Sequence, residues 1–300
     1  QNREGPLLNT YLSQFHPMLR HALDGIRALK NVADFVLSYL NFLAESHNSL
    51  LEEALKITEK GTKLYQTAIL SESNKYDNLI SLTRIKCRLF TLNNQKIENE
   101  NKKKRLEVII NLFITLLCKN KLSLSDLKDE LPDFVSAVIT ILSVDIQKIV
   151  LLFLLNELSR DQCPLSVLSA ITLIINNSEY VTDEEIEYMV SSVAKNKDHF
   201  IQSMKLVKKE TNQLFHNEDS LDSDTYFISK PSNEITVQKS GYFDFLLKVS
   251  QIITEERMQT SNIWKSIFSL SIFSEPICFS AISVLIQKAK KKDNKEFLSF

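Results

Sequence analysis

The residues best able to do chemistry in this chain are its lysines. Lys102, Lys103, Lys104 and Arg105 stand in a row, Lys205 lies close to Lys208 and Lys209, and Lys288 precedes Lys290, Lys291, Lys292 and Lys295. Brought together on one surface, such cations would form a track for phosphate groups or for an acidic partner protein. Nearly all are lysines, which act as point charges on phosphates; the planar forks that read base edges are arginines. Each cluster also has a plainer reading as a solvated helix end, where lysine near a C-terminus complements the dipole. The formal net charge of −1 means that no global field recruits nucleic acid or an anionic membrane.

The other reactive residue types form no recognisable constellation. Of the histidines, only His16 and His21 are close, and a spacing of five does not place two side chains on one helical face. No cysteine lies near a histidine at zinc-ligand spacing, so no metal is expected. The carboxylate pairs Glu52/Glu53, Asp129/Glu130, Glu184/Glu185 and Glu255/Glu256 read as capping or solvated groups, with no apolar pocket to raise a pKa for acid catalysis. No GxSxG is present. The expectation is therefore a non-enzyme with no catalytic residue and no cofactor. Ser220, Ser223 and Thr225 sit in an acidic stretch that an acidophilic kinase would accept, and phosphate there would deepen a negative patch. An unmodified acidic linker is the simpler reading.

Composition narrows the fold. Only four glycines, Gly5, Gly25, Gly61 and Gly241, serve 300 residues. Sheets and phosphate-binding loops need more, so dinucleotide-fold and P-loop readings fall away and helices joined by short polar turns remain. Hydrophobic residues make up 44%, enough to build a sizeable core. Cys87, Cys118, Cys163 and Cys278 are widely spaced, three of them within apolar helical runs, and read as buried thiols of a reducing compartment. With no signal sequence and no apolar run long enough for a span, an intracellular location, cytoplasmic or nuclear, is expected.

Hydrophobic spacing then places the elements. Leu19, Ala22, Ile26, Leu29, Ala33, Val36, Leu40 and Leu43 repeat every three or four residues, a heptad-like seam in a long helix. A coiled coil through residues 19–43 would give oligomerisation. Phe35, Tyr39 and Phe42 form a second apolar row beside it, which favours burial against more than one neighbour of a bundle or solenoid. Ser49 with Glu52 predicts a capping box at the start of the next helix, which Gly61 interrupts, and Tyr76 to Leu92 is a further helix. Residues 1–92 thus form an N-terminal helical region, and 93–105, almost all polar, reads as a mobile loop.

From 106 to 215 the pattern gives about six helices with very short connections. Among the starts are Ser123 or Ser125, Pro164 at a first helical position, and Thr182 with Glu185 as a capping box. Within this region Val144 to Leu158 carries seven consecutive apolar residues, Ile149 to Leu155, and so predicts a central helix covered on every side. An acidic, irregular linker at 216–240 and C-terminal helices with a basic tail at 241–300 complete the chain.

The fold class expected is all-α, a multi-helix stack. Short-looped amphipathic helices around an apolar central one resemble α-solenoid scaffolds of the HEAT and armadillo kind, over roughly Leu106 to Lys290. That resemblance is architectural and implies no functional residues. The function expected is a non-catalytic scaffold or adaptor fragment of a larger intracellular complex, holding other protein subunits in helical grooves. The alternative is nucleic-acid backbone binding by converging lysine clusters within a chromosome- or RNA-associated complex.

Overall fold

The computed structural model describes residues 10, 12–24, 29–46, 48–68, 75–93, 100–160, 163–177, 180–196, 245, 247–251, 283 and 286. Among these the chain is helical, with no strand. The clusters at Lys205, Lys208 and Lys209 and at Lys288 to Lys295 lie outside the described residues, as do Ser220, Ser223, Thr225 and Cys278. No helix among the described residues is long and apolar enough to cross a membrane.

Two compact units divide between Val150 and Leu151. The first holds α1 (Phe15–Asp24), α2 (Lys30–Ser46), α3 (Asn48–Ala68), α4 (Lys75–Leu92), α5 (Glu100–Cys118), a 3-10 segment (Leu124–Glu130) and α6 (Leu131–Ile141). The division falls within α7 (Val144–Leu158), and the second unit continues with α8 (Leu165–Asn177) and α9 (Asp183–Lys195).

The heptad-like seam is divided between two helices rather than running along one. Leu19 lies on α1, Leu29 precedes α2, and Ala33, Val36, Leu40 and Leu43 follow on α2; all six are buried inside the unit. Ile26 lies outside the described residues. The first turn of α2 is closed from another helix: the Leu29 backbone N–H donates to Asn78 Oδ1 of α4 at 3.1 Å. A helix start left without a partner for its N–H groups would be costly when buried, so this long-range cap makes the break stable.

Helices in the first unit pack on their second neighbours as well as their first: α1 on α3, α2 on α4, and α4 on α6. Cross-helix pairs give their direction. His16 meets Glu53 and Leu23 meets Tyr65, so α1 and α3 run parallel. Lys30 meets Asp77, Asp34 meets Arg84, and Asn41 meets Arg88, so α2 and α4 run parallel. Arg84 meets Glu130 and Arg88 meets Asp133, which carries the same direction on to α6.

The most deeply enclosed helix is α4, where the seven consecutive residues Ser81 to Cys87 are all buried. The expected central helix, α7, is instead one-sided. Val150, Leu151, Leu154, Leu155 and Leu158 are buried, while Ile149 is 37% and Leu152 61% exposed. The physical reason is that burial follows helix position, not hydrophobicity alone. Residues 149 and 152 lie on the outer arc of α7, whereas α4 buries polar residues because their partners are buried with them. Thr83 and, on α3, Thr58 and Thr62 enter the core by donating to the carbonyl one turn back. Phe113 of α5 and Phe134 of α6 meet at a centroid distance of 5.3 Å and are among the largest fully buried side chains.

Of three expected helix-start signals, two are formed and one is not. Thr182 and Glu185 form the expected capping box of α9, and Ser123 with Asp126 forms one on the 3-10 segment. At α3, by contrast, the helix starts one residue before Ser49, and Glu52 bonds Lys56 at 2.6 Å along the helix face. Residues 100–105, expected in a mobile loop, form the first turns of α5. Their straight-chain side chains have good helix propensity and continue the register of Leu106. At the other end of α5, Asn120 takes φ 54°. Lys121 N–H then reaches Leu116 O, and Asn120 N–H reaches Leu117 O, a Schellman ending made without glycine.

Gly61 does not interrupt α3. It lets α1 approach: a Cβ built there would lie 2.7 Å from Leu23 Cβ. That contact is with an atom fixed to the backbone, so α1 itself would have to move. Gly61→Ala is therefore expected to lower stability by about 1–3 kcal/mol, although alanine is the better helix former by about 1 kcal/mol. Urea unfolding of both proteins measures it, and equal or higher stability of the variant would show that α1 is not held this closely.

Candidate functional site

Construction of any site begins with α4, whose polar residues reach four other elements. Arg84 is the centre. Its Nη1 lies 2.7 Å from Asp34 Oδ1 on α2, and its Nε lies 2.7 Å from Glu130 Oε2 at the end of the 3-10 segment. The Arg84 and Glu130 side chains are only 8% and 6% exposed. Burial opposes the charge on Arg84, but Glu130 and Asp34 more than offset it and the guanidinium stays charged. Burial pushes the Glu130 carboxyl above its ordinary range, with Arg84 pulling it part of the way back. The Arg84 hydrogen bond holds Asp34, mostly exposed, below the usual carboxylate range.

One turn on, Arg88 repeats the arrangement. Its Nε donates to Asn41 Oδ1 at 2.7 Å, and its Nη1 lies 3.4 Å from Asp133 Oδ1 on α6. Asp133 is buried, and burial raises its pKa against the pull of Arg88. Glu130 and Asp133 thus correct the expectation that acids in this stretch are solvated. They face basic residues across a helix packing seam. The arrangement fixes the register of the helices it joins. Lys128 braces it from outside, with Nζ 3.1 Å from Asp34 Oδ2 and a backbone at φ 50°, ψ −129° that L-residues rarely adopt.

A second locus lies between α1 and α3. A cleft of about 380 Å³ is lined by Arg20, Asp24, Glu53, Lys56 and Lys60, with Leu23, Ile57 and Gly61. At its edge His16 is buried, its Nδ1 3.3 Å from Glu53 Oε2, while its Nε2 meets no partner. Tyr39 packs edge-on to His16 at 6.1 Å and donates to Leu12 O at 3.2 Å. Burial, with the charge of Glu53 adding to it, pushes the Tyr39 phenol up to about 12. The charged groups of the cleft are on exposed side chains. Among the described residues no group of three or more His, Cys, Asp or Glu is placed to hold a metal ion.

The one described lysine cluster is exposed at the start of α5. Lys102, Lys104 and Arg105 face solvent and Lys103 is half-buried. The structure adds two lysines that the sequence did not associate with it. Lys86 of α4 is buried with Nζ 3.3 Å from Glu59 Oε1, and Lys63 of α3 is exposed one turn beyond Glu59. Burial lowers the Lys86 pKa, Glu59 supports its charge, and Lys63 and Lys102 oppose it. The signal that could have linked them is the run of Glu59, Lys60 and Lys63 on one side of α3, but nothing local ties it to residue 86 or 102.

Apolar side chains also reach the surface in two places. Phe35, Tyr39 and Phe42 run along one side of α2, with Phe35 stacked on Tyr39 at 6.3 Å; Phe35 and Phe42 are 39% and 44% exposed while Tyr39 is buried. The second row of α2 thus remains partly on the outside, contrary to the burial expected of it. Ile149 and Leu152 form a similar outer row on α7.

Two outcomes follow from these buried groups. Arg84→Met should cost about 3–5 kcal/mol, because Glu130 is left buried without its cation. Arg84→Met/Glu130→Met should recover a large part of that loss. With Arg84 gone, the folded-state Glu130 pKa rises further above 4.5. The folded state then holds a proton that the unfolded chain has released, so the deficit of the single variant grows as pH rises through that value and shrinks below it. Urea midpoints of the three proteins at pH 4 and pH 7 test this; a deficit unchanged with pH would remove Glu130 as its cause. Thiol accessibility supplies the other. Cys118 is exposed, whereas burial raises Cys87 well above the ordinary thiol range and Cys163 to about 12. A thiol reagent followed by peptide mass analysis should label Cys118 in the folded protein, and Cys87 and Cys163 only on unfolding.

Compared with protein-family models, curated proteins and solved structures, the chain matches none.

Proposed function

We propose that this chain is a non-catalytic scaffold, built as an irregular α-solenoid of the HEAT and armadillo kind, that holds partner proteins against the outer faces of its helices. The observation that carries the reading is the alternation in the first unit, with α1 parallel to α3 and α2, α4 and α6 parallel to one another. Helix pairs stacked on the next pair produce this pattern, and the paired residues recur at intervals of roughly 40 to 50, the length of such a pair. Buried ionic groups are consumed in joining helices, which supports a structural use for them. Exposed apolar rows on α2 and α7 are the kind of ridge to which a partner helix docks.

The seam at residues 19–43 is used within the chain, so contact with other chains is assigned to the side of α2 that carries Phe35 and Phe42. Affinity capture of partners by the full chain tests the reading. Phe35→Asp/Phe42→Asp and Ile149→Asp/Leu152→Asp should each fold as the parent does, by circular dichroism. At least one pair should lose a defined protein partner that the parent retains at high salt and after nuclease treatment. Retention of every partner by both variants would overturn it.

A further inference from the structure

The corner where α3, α4 and α5 meet gathers more positive charge than the fold uses. Lys102, Lys103, Lys104 and Arg105 occupy the first two turns of α5. There the helix dipole is positive and disfavours cations, with Glu100 the one acid of the first turn. Lys63 stands exposed on α3 one turn beyond Glu59, and Lys86 enters the same corner from α4 to meet Glu59 at 3.3 Å. Lys63 and Lys102 both oppose the charge on Lys86, which places three ammonium groups from three helices within electrostatic reach.

Elsewhere in the described structure some exposed cations are matched, while Arg20, Lys60, Lys119, Lys121 and Lys195 stand singly or in twos without an ion pair. Lys30 pairs with Asp77, Lys56 with Glu52, Lys128 with Asp34, and Arg160 with Glu157. Among the described residues, Lys63, Lys102, Lys104 and Arg105 also take part in no ion pair or side-chain hydrogen bond. Three exposed cations within two turns of α5, with Lys63 beside them, make a local positive potential that concentrates anions.

The chemistry of the corner selects among anions. Protein interfaces are depleted in lysine and built around aromatic or other apolar anchors. On α5 the exposed large apolar residue is Val108, and no exposed aromatic lies on that helix. Single-stranded nucleic acid is held by aromatic side chains on which its bases stack, and base edges are read chiefly by arginine; among the described residues this corner offers one exposed arginine and no exposed aromatic on α5. Lysine point charges suit phosphates contacted without regard to sequence.

We propose that the corner formed by the exposed side chains of Lys63, Lys102, Lys104 and Arg105 binds the phosphodiester backbone of duplex nucleic acid without sequence preference. The partner-docking reading of the α2 and α7 faces is independent of it. Fluorescence polarisation of a labelled 20-base-pair DNA duplex, titrated with the full chain at 50 and 200 mM salt, tests the proposal. Affinity should fall steeply with salt, with a log–log slope of about −0.9 for each phosphate neutralised. Lys102→Gln/Arg105→Gln should weaken binding by about tenfold or more at low salt and reduce that slope by about 2. Lys119→Gln/Lys121→Gln, a matched loss of charge at the opposite end of α5, should change affinity by less than about twofold. All these residues are solvent-exposed, and unchanged thermal unfolding of both variants establishes that the fold is intact. Three results would overturn the proposal: no binding at 50 mM salt, equal losses in the two variants, or displacement of the duplex by poly-L-glutamate at a lower charge concentration than by unlabelled duplex. The last would assign the corner to an acidic protein.

Discussion

A guanidinium held out of water between two carboxylates is the constraint on which the first unit depends. Arg84 cannot discharge itself, so once α4 is enclosed its charge must be answered at fixed places. The answers come from α2 on one side and from the junction of the 3-10 segment with α6 on the other. Hydrophobic contacts alone would let parallel helices slide past one another with little change in buried area. A buried cation with two designated acceptors does not allow that, because slipping by a turn leaves charges unpaired inside the protein. Arg88 with Asn41 and Asp133, and Asn78 with the Leu29 amide, act at other heights of the same helix.

These bridges explain which features could be read from the chain and which could not. Helices α4, α8 and α9 are legible from apolar spacing and from Pro164 and Thr182, all of which are local signals. The division of the 19–43 seam into two helices is not, since the side chain that caps α2 lies 49 residues further along. The identity of the most buried helix is also hidden. Hydropathy favours α7, with its unbroken run from Ile149 to Leu155, and penalises α4 for Ser81, Thr83, Arg84 and Lys86. Polar residues count against burial until their partners are known, and those partners are on other elements. Cys118 errs the other way: it ends an apolar helix, yet it is exposed.

The candidate surfaces show the same division. Lys102 to Arg105 were visible as a cluster because they are contiguous, but their helical setting and their association with Lys63 and Lys86 depend on packing between three helices. Phe35 and Phe42 were visible as a row, yet spacing could not say on which side of the row the neighbours lie. A helix reports its faces through periodicity; it does not report which face remains outside.

The intervals between bridged residues carry a consequence for how the chain acquires its structure. Asp34 and Arg84, Asn41 and Arg88, Arg84 and Glu130, and Arg88 and Asp133 are separated by similar lengths of chain. Loop-closure entropy depends only weakly on length, so each of these bridges closes at nearly the same entropic cost, and no single long-range contact sets the barrier. Within the first unit, formation of any one of these bridges therefore adds one closure of the usual size, and none has an entropic advantage as the first. Arg84 takes part in two such closures, which makes α4 the helix they share.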